Sequence, residues 1–458
     1  MESIHILTDN FPEGWKKFWC LIWDFIYNKW IGSMTDFSDA EAGIKSVLAI
    51  IGTVLGFFII YRALYFVVGL FSKPVTYPET EVQRKYCFVV AARNEECVIE
   101  NTVNSILDVD YPRELFDVIV IADNCTDDTA KVAANAAARV VEHNDNTKRR
   151  KGYALEYLFD QLIAENKLHD YDAYIIIDAD NLLRKDFLTE MNKGFVYHKD
   201  VCCAYRSCKN FDTNFISASY GIHFYGSTMN AHRPRAKFKV GTSLNGTGMC
   251  IGTHLLENGW HYTLITEDAE CFCDLVSKGY KVGFVENAIL YDEHPTSFSV
   301  SWTQRIRWTY GRLVCFLRYH RKAFKTLFKE PSFTKYDCYW HMFPYELFTL
   351  IISLLTTLTS IVFAFINHNP SILLTLLKGF GMLLLTSYLS NLLLGIIFVI
   401  REHTRINCGF FKTILYLLLF PYFYMIGPIL MLVALCKRNL DWKTIPHKDT
   451  RDGSQLAK

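Results

Sequence analysis

The chain has 458 residues, 51% of them apolar and 15% aromatic, and its 48 basic and 47 acidic residues leave a net charge of +1. That length allows two or three domains and the apolar content exceeds that of most soluble proteins, while the balanced charge gives no reason to expect nucleic acid as a partner. The cysteines are scattered, and Cys87, Cys202, Cys203 and Cys250 fall in predicted strands. They read as small apolar core residues of a reducing compartment rather than a disulfide framework. Cys271-Phe272-Cys273 has no second pair at zinc spacing.

Glu2, Asp9 and Glu13 make the start of the chain mixed and acidic, so no cleavable signal peptide is expected. Trp15, Phe18, Trp19, Ile22, Trp23, Ile26 and Trp30 recur at spacings of three and four among charged residues. This is the pattern of a helix lying in a membrane interface, assigned to 1–40. Ile44 to Phe71 is nearly free of charge apart from Lys45 and Arg62 and is long enough to cross a hydrocarbon layer of roughly 30 Å. It predicts one transmembrane helix over 41–72.

From 80 to 298 the pattern changes to short apolar strands alternating with amphipathic helices. Tyr86 to Ala91, Val118 to Ala122, Val140 to His143 and Ala173 to Ile177 are the predicted strands. Such alternation argues for a mixed, mainly parallel sheet, whose ligands bind beyond the carboxyl ends of the strands. Arg93, Glu95, Asp123 and Asp178 stand at such ends and are candidate nucleotide-binding residues. A strand-end carboxylate at Asp123 can accept hydrogen bonds from a base or ribose; its plainer reading is a turn cap. Asp178-Ala179-Asp180 offers two carboxylates to a hard divalent cation, Mg²⁺ or Mn²⁺, against a diphosphate. The basic run Lys148 to Lys151 precedes a predicted helix N-terminus, and Lys151 is its best phosphate candidate.

Thr266-Glu267-Asp268 supplies a candidate general base in Asp268, although acidic residues in a first helical turn also suit the helix dipole. Asn245-Gly246-Thr247-Gly248-Met249 is a loop whose glycines permit close approach of another group. His294-Pro295-Thr296-Ser297 reads as a linker and receives no chemistry. Ser301 to Phe324, within an interfacial region set at 299–335, is amphipathic and basic. It carries Gln304, Arg305, Arg307 and Trp308; both arginines can reach a diphosphate, and the tryptophan offers a flat face to a sugar.

Phe343 to Ile366 and Ile372 to Ile400 predict a transmembrane hairpin across Asn367-His368-Asn369-Pro370. Phe410 to Cys436, with Pro421 and Pro428, brings the segments over 342–437 to about three, before a basic tail over 438–458. Positive charge at Arg401, Arg405 and Lys412 and again from Lys437 cannot both be cytosolic if this last segment crosses straight. Either the tail lies outside, the arrangement preferred on sequence, or the segment is re-entrant or bent.

Taken in order, Asp123, Asp178-Ala179-Asp180, Thr266-Glu267-Asp268 and Gln304-Arg305-Ile306-Arg307-Trp308 resemble the motifs of membrane-integrated glycosyltransferase family 2 enzymes. That group contains cellulose, chitin, hyaluronan and poly-N-acetylglucosamine synthases, and the resemblance covers roughly Lys85 to Tyr310 with the flanking apolar segments. It implies an α/β domain of GT-A type joined to an α-helical transmembrane bundle, with Asp123 and Asp178 on UDP and Asp178 and Asp180 on the metal. It further implies Asp268 as base, Gln304 and Arg307 on the diphosphate, and Trp308, with the loop at Gly246 and with Glu267, at the acceptor. The implied activity is an inverting, metal-dependent UDP-sugar β-glycosyltransferase at the cell membrane, catalytic domain cytosolic, extending and exporting a polysaccharide. UDP-glucose is the favoured donor, because Asp268 is not followed by Arg, and UDP-N-acetylglucosamine is the alternative. The stretch after Cys436 is too short for a regulatory β-barrel, so no control by a cyclic dinucleotide in cis is expected. The rival readings are a single transfer to a membrane lipid, and a carrier or scaffold that senses nucleotide sugar without catalysis.

Overall fold

The structure is a computed structural model and describes residues 40–366, 371–437, 449 and 451. The interfacial helix expected before residue 40 and nearly all of the basic tail lie outside the described residues. Among those described, four helical stretches are long and apolar enough to cross a membrane: Ala42–Ile59, Tyr345–Ile366, Leu373–Arg401 and Phe410–Cys436. The chain divides into two units. In the first, helix Ala40–Ile59 packs along helix Tyr345–Ile366, both covered in exposed Ile, Val, Leu and Phe, as suits a lipid solvent.

The second unit begins at Tyr61 and holds the α/β domain. The apolar stretch read as one helix over 41–72 in fact breaks at Ile60, and its second piece, Tyr61–Phe71, packs on protein. Tyr65 is buried there, the Tyr61 hydroxyl donates to Asp337 at 2.6 Å, and a Cβ on Gly69 would fall 1.7 Å from the Met229 carbonyl oxygen.

Eight strands form one sheet in the order β3-β2-β1-β4-β7-β6-β8-β5. They are β1 (Tyr86–Ala92), β2 (Phe116–Asp123), β3 (Arg139–His143), β4 (Ala173–Asp178), β5 (Leu182–Leu183), β6 (Val201–Cys208), β7 (Met249–Gly252) and β8 (Val282–Asp292). β3, β2, β1 and β4 are mutually parallel, β7 runs antiparallel to β4 and β6, and β8 is parallel to β6. The central strands read as unbroken apolar runs because both faces are covered. Cys87, Val89, Ile119, Ile121, Tyr174 and Ile176 face a core with Leu155, Leu158 and Phe159 of helix Lys151–Ala164. The alternate residues Phe88, Val90, Val118, Val120, Ile175 and Ile177 face Val103 and Ile106 of helix Ile99–Leu107 and Phe187 and Met191 of helix Phe187–His198.

The last apolar segment is two helices, Phe410–Met425 and Gly427–Cys436, with Pro428 at the start of the second. They pack on helices Phe215–Ser227 and Phe298–Lys329 of the α/β domain. The carbonyl of Asp212 accepts from Lys412 at 3.1 Å and Tyr416 at 3.3 Å, and its carboxylate pairs with Arg451 at 3.2 Å. The first helix and Arg451 therefore meet the same residue. The helical hydrogen bonding is interrupted between the two helices at Ile426, two residues before Pro428, while the Ile426 amide still donates to the Tyr422 carbonyl at 3.4 Å.

A buried ionic group ties the end of helix Ser371–Arg401 to β8. Arg233 lies between Glu286, which it binds through Nε and one terminal nitrogen, and Glu402 at 2.8 Å, while Arg405 pairs with Glu402 at 2.8 Å. Glu286 also accepts the Val75 amide at 2.9 Å. Replacing Arg233 by Met should destabilise the unit by about 3–5 kcal/mol, because two buried carboxylates lose their shared cation. A clear fall in the thermal unfolding midpoint of purified protein would confirm it, and an unchanged midpoint would contradict it.

Candidate active site

Three strands end in an aspartate: β2 in Asp123, β4 in Asp178 and β8 in Asp292. Oxygens from Asp178, Asp180 and Asp292 lie within 4.8 Å of one another. At an effective dielectric of about 20, two full charges at such separations repel by roughly 3–4 kcal/mol, so the trio needs cations. Arg206 grips Asp292 with Nε at 2.8 Å and one terminal nitrogen, and His294 Nδ1 stands 3.1 Å from the same oxygen. Burial alone would raise the Asp292 carboxyl, but Arg206 and His294 outweigh it and hold it well below the usual range. Asn181 donates to Asp292 at 2.7 Å and Asp180 at 3.1 Å, fixing their mutual orientation. Three convergent carboxylates fit a hard divalent cation.

Lys151, at the start of helix Lys151–Ala164, donates to Asp178 and to the Gly246 carbonyl at 2.7 Å. Burial would depress its ammonium, yet Asp178, Glu267 and Asp268 together raise it, so it stays charged. Gly246 has φ +82°, and a Cβ there would stand 3.6 Å from Asp268 Oδ2. The glycine loop thus borders the candidate base while leaving it open. Glu267 and Asp268 begin helix Glu267–Ser277. Burial lifts Glu267 to about 7, with Lys151 opposing and Asp268 adding, and burial also raises Asp268.

Helix Phe298–Lys329 crosses that turn closely. A Cβ on Gly311 would lie 2.4 Å from Thr266 Cγ2 and 2.8 Å from Ile265 Cγ2. The close crossing brings Arg307, one turn earlier, into the field of Glu267, Asp178 and Asp268; burial lowers its guanidinium pKa and those carboxylates oppose the shift. Trp308 meets Tyr220 edge-on at 5.7 Å and Phe224 at 6.2 Å between ring centroids. The Gln304 Oε1 is buried with no hydrogen-bond partner among the described residues.

The predicted residues therefore fall into three groups. Asp178, Asp180, Lys151, Gly246, Glu267, Asp268 and Arg307 meet in one cleft, with Gln304 and Trp308 on the same helix as Arg307. Arg93 and Glu95 lie just beyond β1, in a loop tied to that after β2 by the Asn94 side chain, which accepts the Thr126 amide at 2.8 Å. Asp123 lies at the end of β2, buried against His143. Arg305, read as reaching the diphosphate, instead lies 3.8 Å from the centre of the Phe423 ring. His294, given no chemistry on sequence, pairs with Asp292 and stacks between Tyr220 and Phe224 at 5.3 Å from each. Asp292 and Arg206 were not identified from sequence, although β8 ends in a carboxylate just as β2 and β4 do.

The family described as glycosyltransferase-like family 2 matches residues 83–311, half of the chain. The chain belongs to this family. It is 26% identical over 260 residues to a β-monoglucosyldiacylglycerol synthase of Synechocystis sp., covering 55% of this chain and 51% of that protein. It is 23% identical over 291 residues to a poly-β-1,6-N-acetyl-D-glucosamine synthase of Staphylococcus aureus, covering 59% and 67%. The chain thus spans about half to two thirds of the length of these curated relatives. The fold resembles that of the mannosyltransferase PcManGT of Pyrobaculum calidifontis, solved with GDP-Man and Mn²⁺. The TM-score is 0.53 at 17% identity over 77% of this chain and 96% of that one. The fold is GT-A.

Asp292→Asn should weaken Mn²⁺ binding about tenfold or more, comparable to Asp180→Asn. Titration followed by the electron paramagnetic resonance signal of free Mn²⁺ reads this directly. Unchanged affinity in Asp292→Asn would remove Asp292 from the cation site.

Proposed function

We propose that this chain is an inverting, metal-dependent hexosyltransferase that takes a UDP-sugar at the strand ends and adds the sugar in β-linkage to a membrane-associated glycan. The observation that carries this reading is the shared cleft of Asp268, Lys151, Arg307 and the three carboxylates Asp178, Asp180 and Asp292. In it, Asp268 takes the proton of the acceptor hydroxyl as that oxygen forms a bond to the anomeric carbon from the face opposite UDP. The anomeric carbon–oxygen bond to the diphosphate breaks in the same displacement, which inverts the centre. A bound Mg²⁺ or Mn²⁺ supplies charge neutralisation to the leaving diphosphate. Arg307 adds fixed positive charge there and Gln304 an open polar contact on the same helix.

Trp308, backed by the buried rings of Tyr220 and Phe224, offers a partly exposed aromatic face suited to the C–H face of a glycan, which supports repeated addition to one chain. UDP-glucose remains the favoured donor and UDP-N-acetylglucosamine the alternative. The enzyme would lie in the cell membrane with this domain in the cytosol. A single transfer to a membrane lipid is a second reading, favoured by the similarity to a β-monoglucosyldiacylglycerol synthase.

Asp268→Asn should lower kcat by about 100- to 10,000-fold with the KM for donor little changed. Because burial raises Asp268, the acid limb of the pH profile should stand above the ordinary carboxylate range, activity rising with pH as the base loses its proton. UDP release with a panel of UDP-sugars, with the product sized, separates the readings. A long glycan supports the first and a one-sugar lipid the second. Full metal-dependent turnover in Asp268→Asn would sink both.

A further inference from the structure

Asp123 is held in a way that the reading of the donor site does not require. His143 Nδ1 lies 2.8 Å from Asp123 Oδ1, and Asn124 Nδ2 donates to the same Oδ1 at 2.7 Å. Oδ2 receives no hydrogen bond among the described residues. The arrangement is built into the sheet: Asp123 and His143 are register partners on β2 and β3, and the Asn124 amide donates to the His143 carbonyl at 2.7 Å. Asn124 adopts φ +50°, a left-handed conformation that Asn tolerates better than most residues. The His143 ring packs on Tyr157 of helix Lys151–Ala164 at 4.8 Å. All three of Asp123, Asn124 and His143 are more than nine-tenths buried.

A carboxylate oxygen has two lone-pair sites. With His143 and Asn124 on Oδ1, that oxygen is full, and only Oδ2 can accept a hydrogen bond from a ligand. We infer that His143 and Asn124 are positioning residues that make Asp123 a one-oxygen acceptor, selecting uracil over guanine; this rests on the proposed placement of the nucleotide at Asp123. Uracil presents one imide N–H between two carbonyl groups, which a single free oxygen satisfies. Guanine presents N1–H and N2–H side by side and engages a carboxylate with both oxygens. With Oδ1 occupied, one guanine donor is left buried and unpaired, the situation in which a polar site discriminates most strongly. Cytosine is also rejected, since its ring nitrogen at that place is an acceptor facing a carboxylate.

The test is calorimetric binding of UDP and GDP, each with Mn²⁺, to the purified full chain, together with steady-state kinetics for the best UDP-sugar. The unaltered protein should favour UDP by about 100-fold or more. His143→Ala and Asn124→Gly, the latter keeping a backbone that glycine accepts, should each lower the UDP-to-GDP ratio about tenfold. Each should raise the donor KM while kcat is retained. His143→Asn, whose amide can stand where Nδ1 stood, should recover most of the ratio. An unchanged ratio in both His143→Ala and Asn124→Gly, with UDP binding lost in Asp123→Ala, overturns this inference and leaves the donor site intact. Undiminished UDP binding in Asp123→Ala overturns the donor placement and the inference together.

Discussion

The site depends on holding mutually repelling carboxylates at one edge of a sheet. Asp178, Asp180 and Asp292 share a few ångströms, and Glu267 and Asp268 stand close enough to perturb the same lysine. In low dielectric such a group would protonate or spread apart unless fixed positive charge were set among its members. The protein sets Arg206 on Asp292, Lys151 on Asp178, and Arg307 within reach of the base and Asp178. Each cation arrives from a different element: β6, the helix after β3, and the long helix Phe298–Lys329. No single motif can therefore be neutral and functional by itself. The distribution also leaves net negative charge where a divalent cation and a diphosphate can enter together.

The same electrostatic requirement explains where glycine is used. Lys151 reaches the Gly246 carbonyl, so the loop before β7 must pass beside Asp268 without covering it, and its positive φ at Gly246 allows that path. Gly311 lets the long helix approach the turn before Glu267, and this approach sets Arg307 among the carboxylates. A side chain at Gly311 would move the guanidinium outward as well as crowd Thr266. Packing and charge are thus coupled through two small residues.

Much of the fold was legible because its central strands are apolar on both faces and bounded by polar ends. The four strands read from sequence coincide with β1 to β4 to within one or two residues at each end. The remaining strands pair out of sequence order, β7 between β4 and β6 and β8 beside β6, an arrangement that no local pattern announces. For that reason Asp178 and Asp180 were readable as a local pair and Asp292 was not: their closeness exists only after β8 joins the sheet. His294 was hidden similarly, since its partners Tyr220 and Phe224 come from a helix without a polar signature. Arg305 misled for a simpler reason. On a helix each residue turns about 100°, so Arg305 and Arg307, two apart, point to nearly opposite sides and cannot both face one ligand.

That division of the long helix joins the site to the last apolar segment. Arg305 turns to Phe423, His223 meets Tyr424 at 2.7 Å, and Tyr220 packs against Phe423 at 5.0 Å between ring centroids. Tyr220 in turn holds Ser301 of the long helix at 3.1 Å and stacks on His294, the partner of Asp292. The buried rings that back Trp308 and the histidine that supports the third carboxylate are therefore packed by one stretch of apolar chain. Because Lys412 and Tyr416 of that stretch also hold the Asp212 carbonyl, its first helix is fixed to the α/β domain near its start and near its end, and Phe423 and Tyr424 are presented to Tyr220 and His223 together.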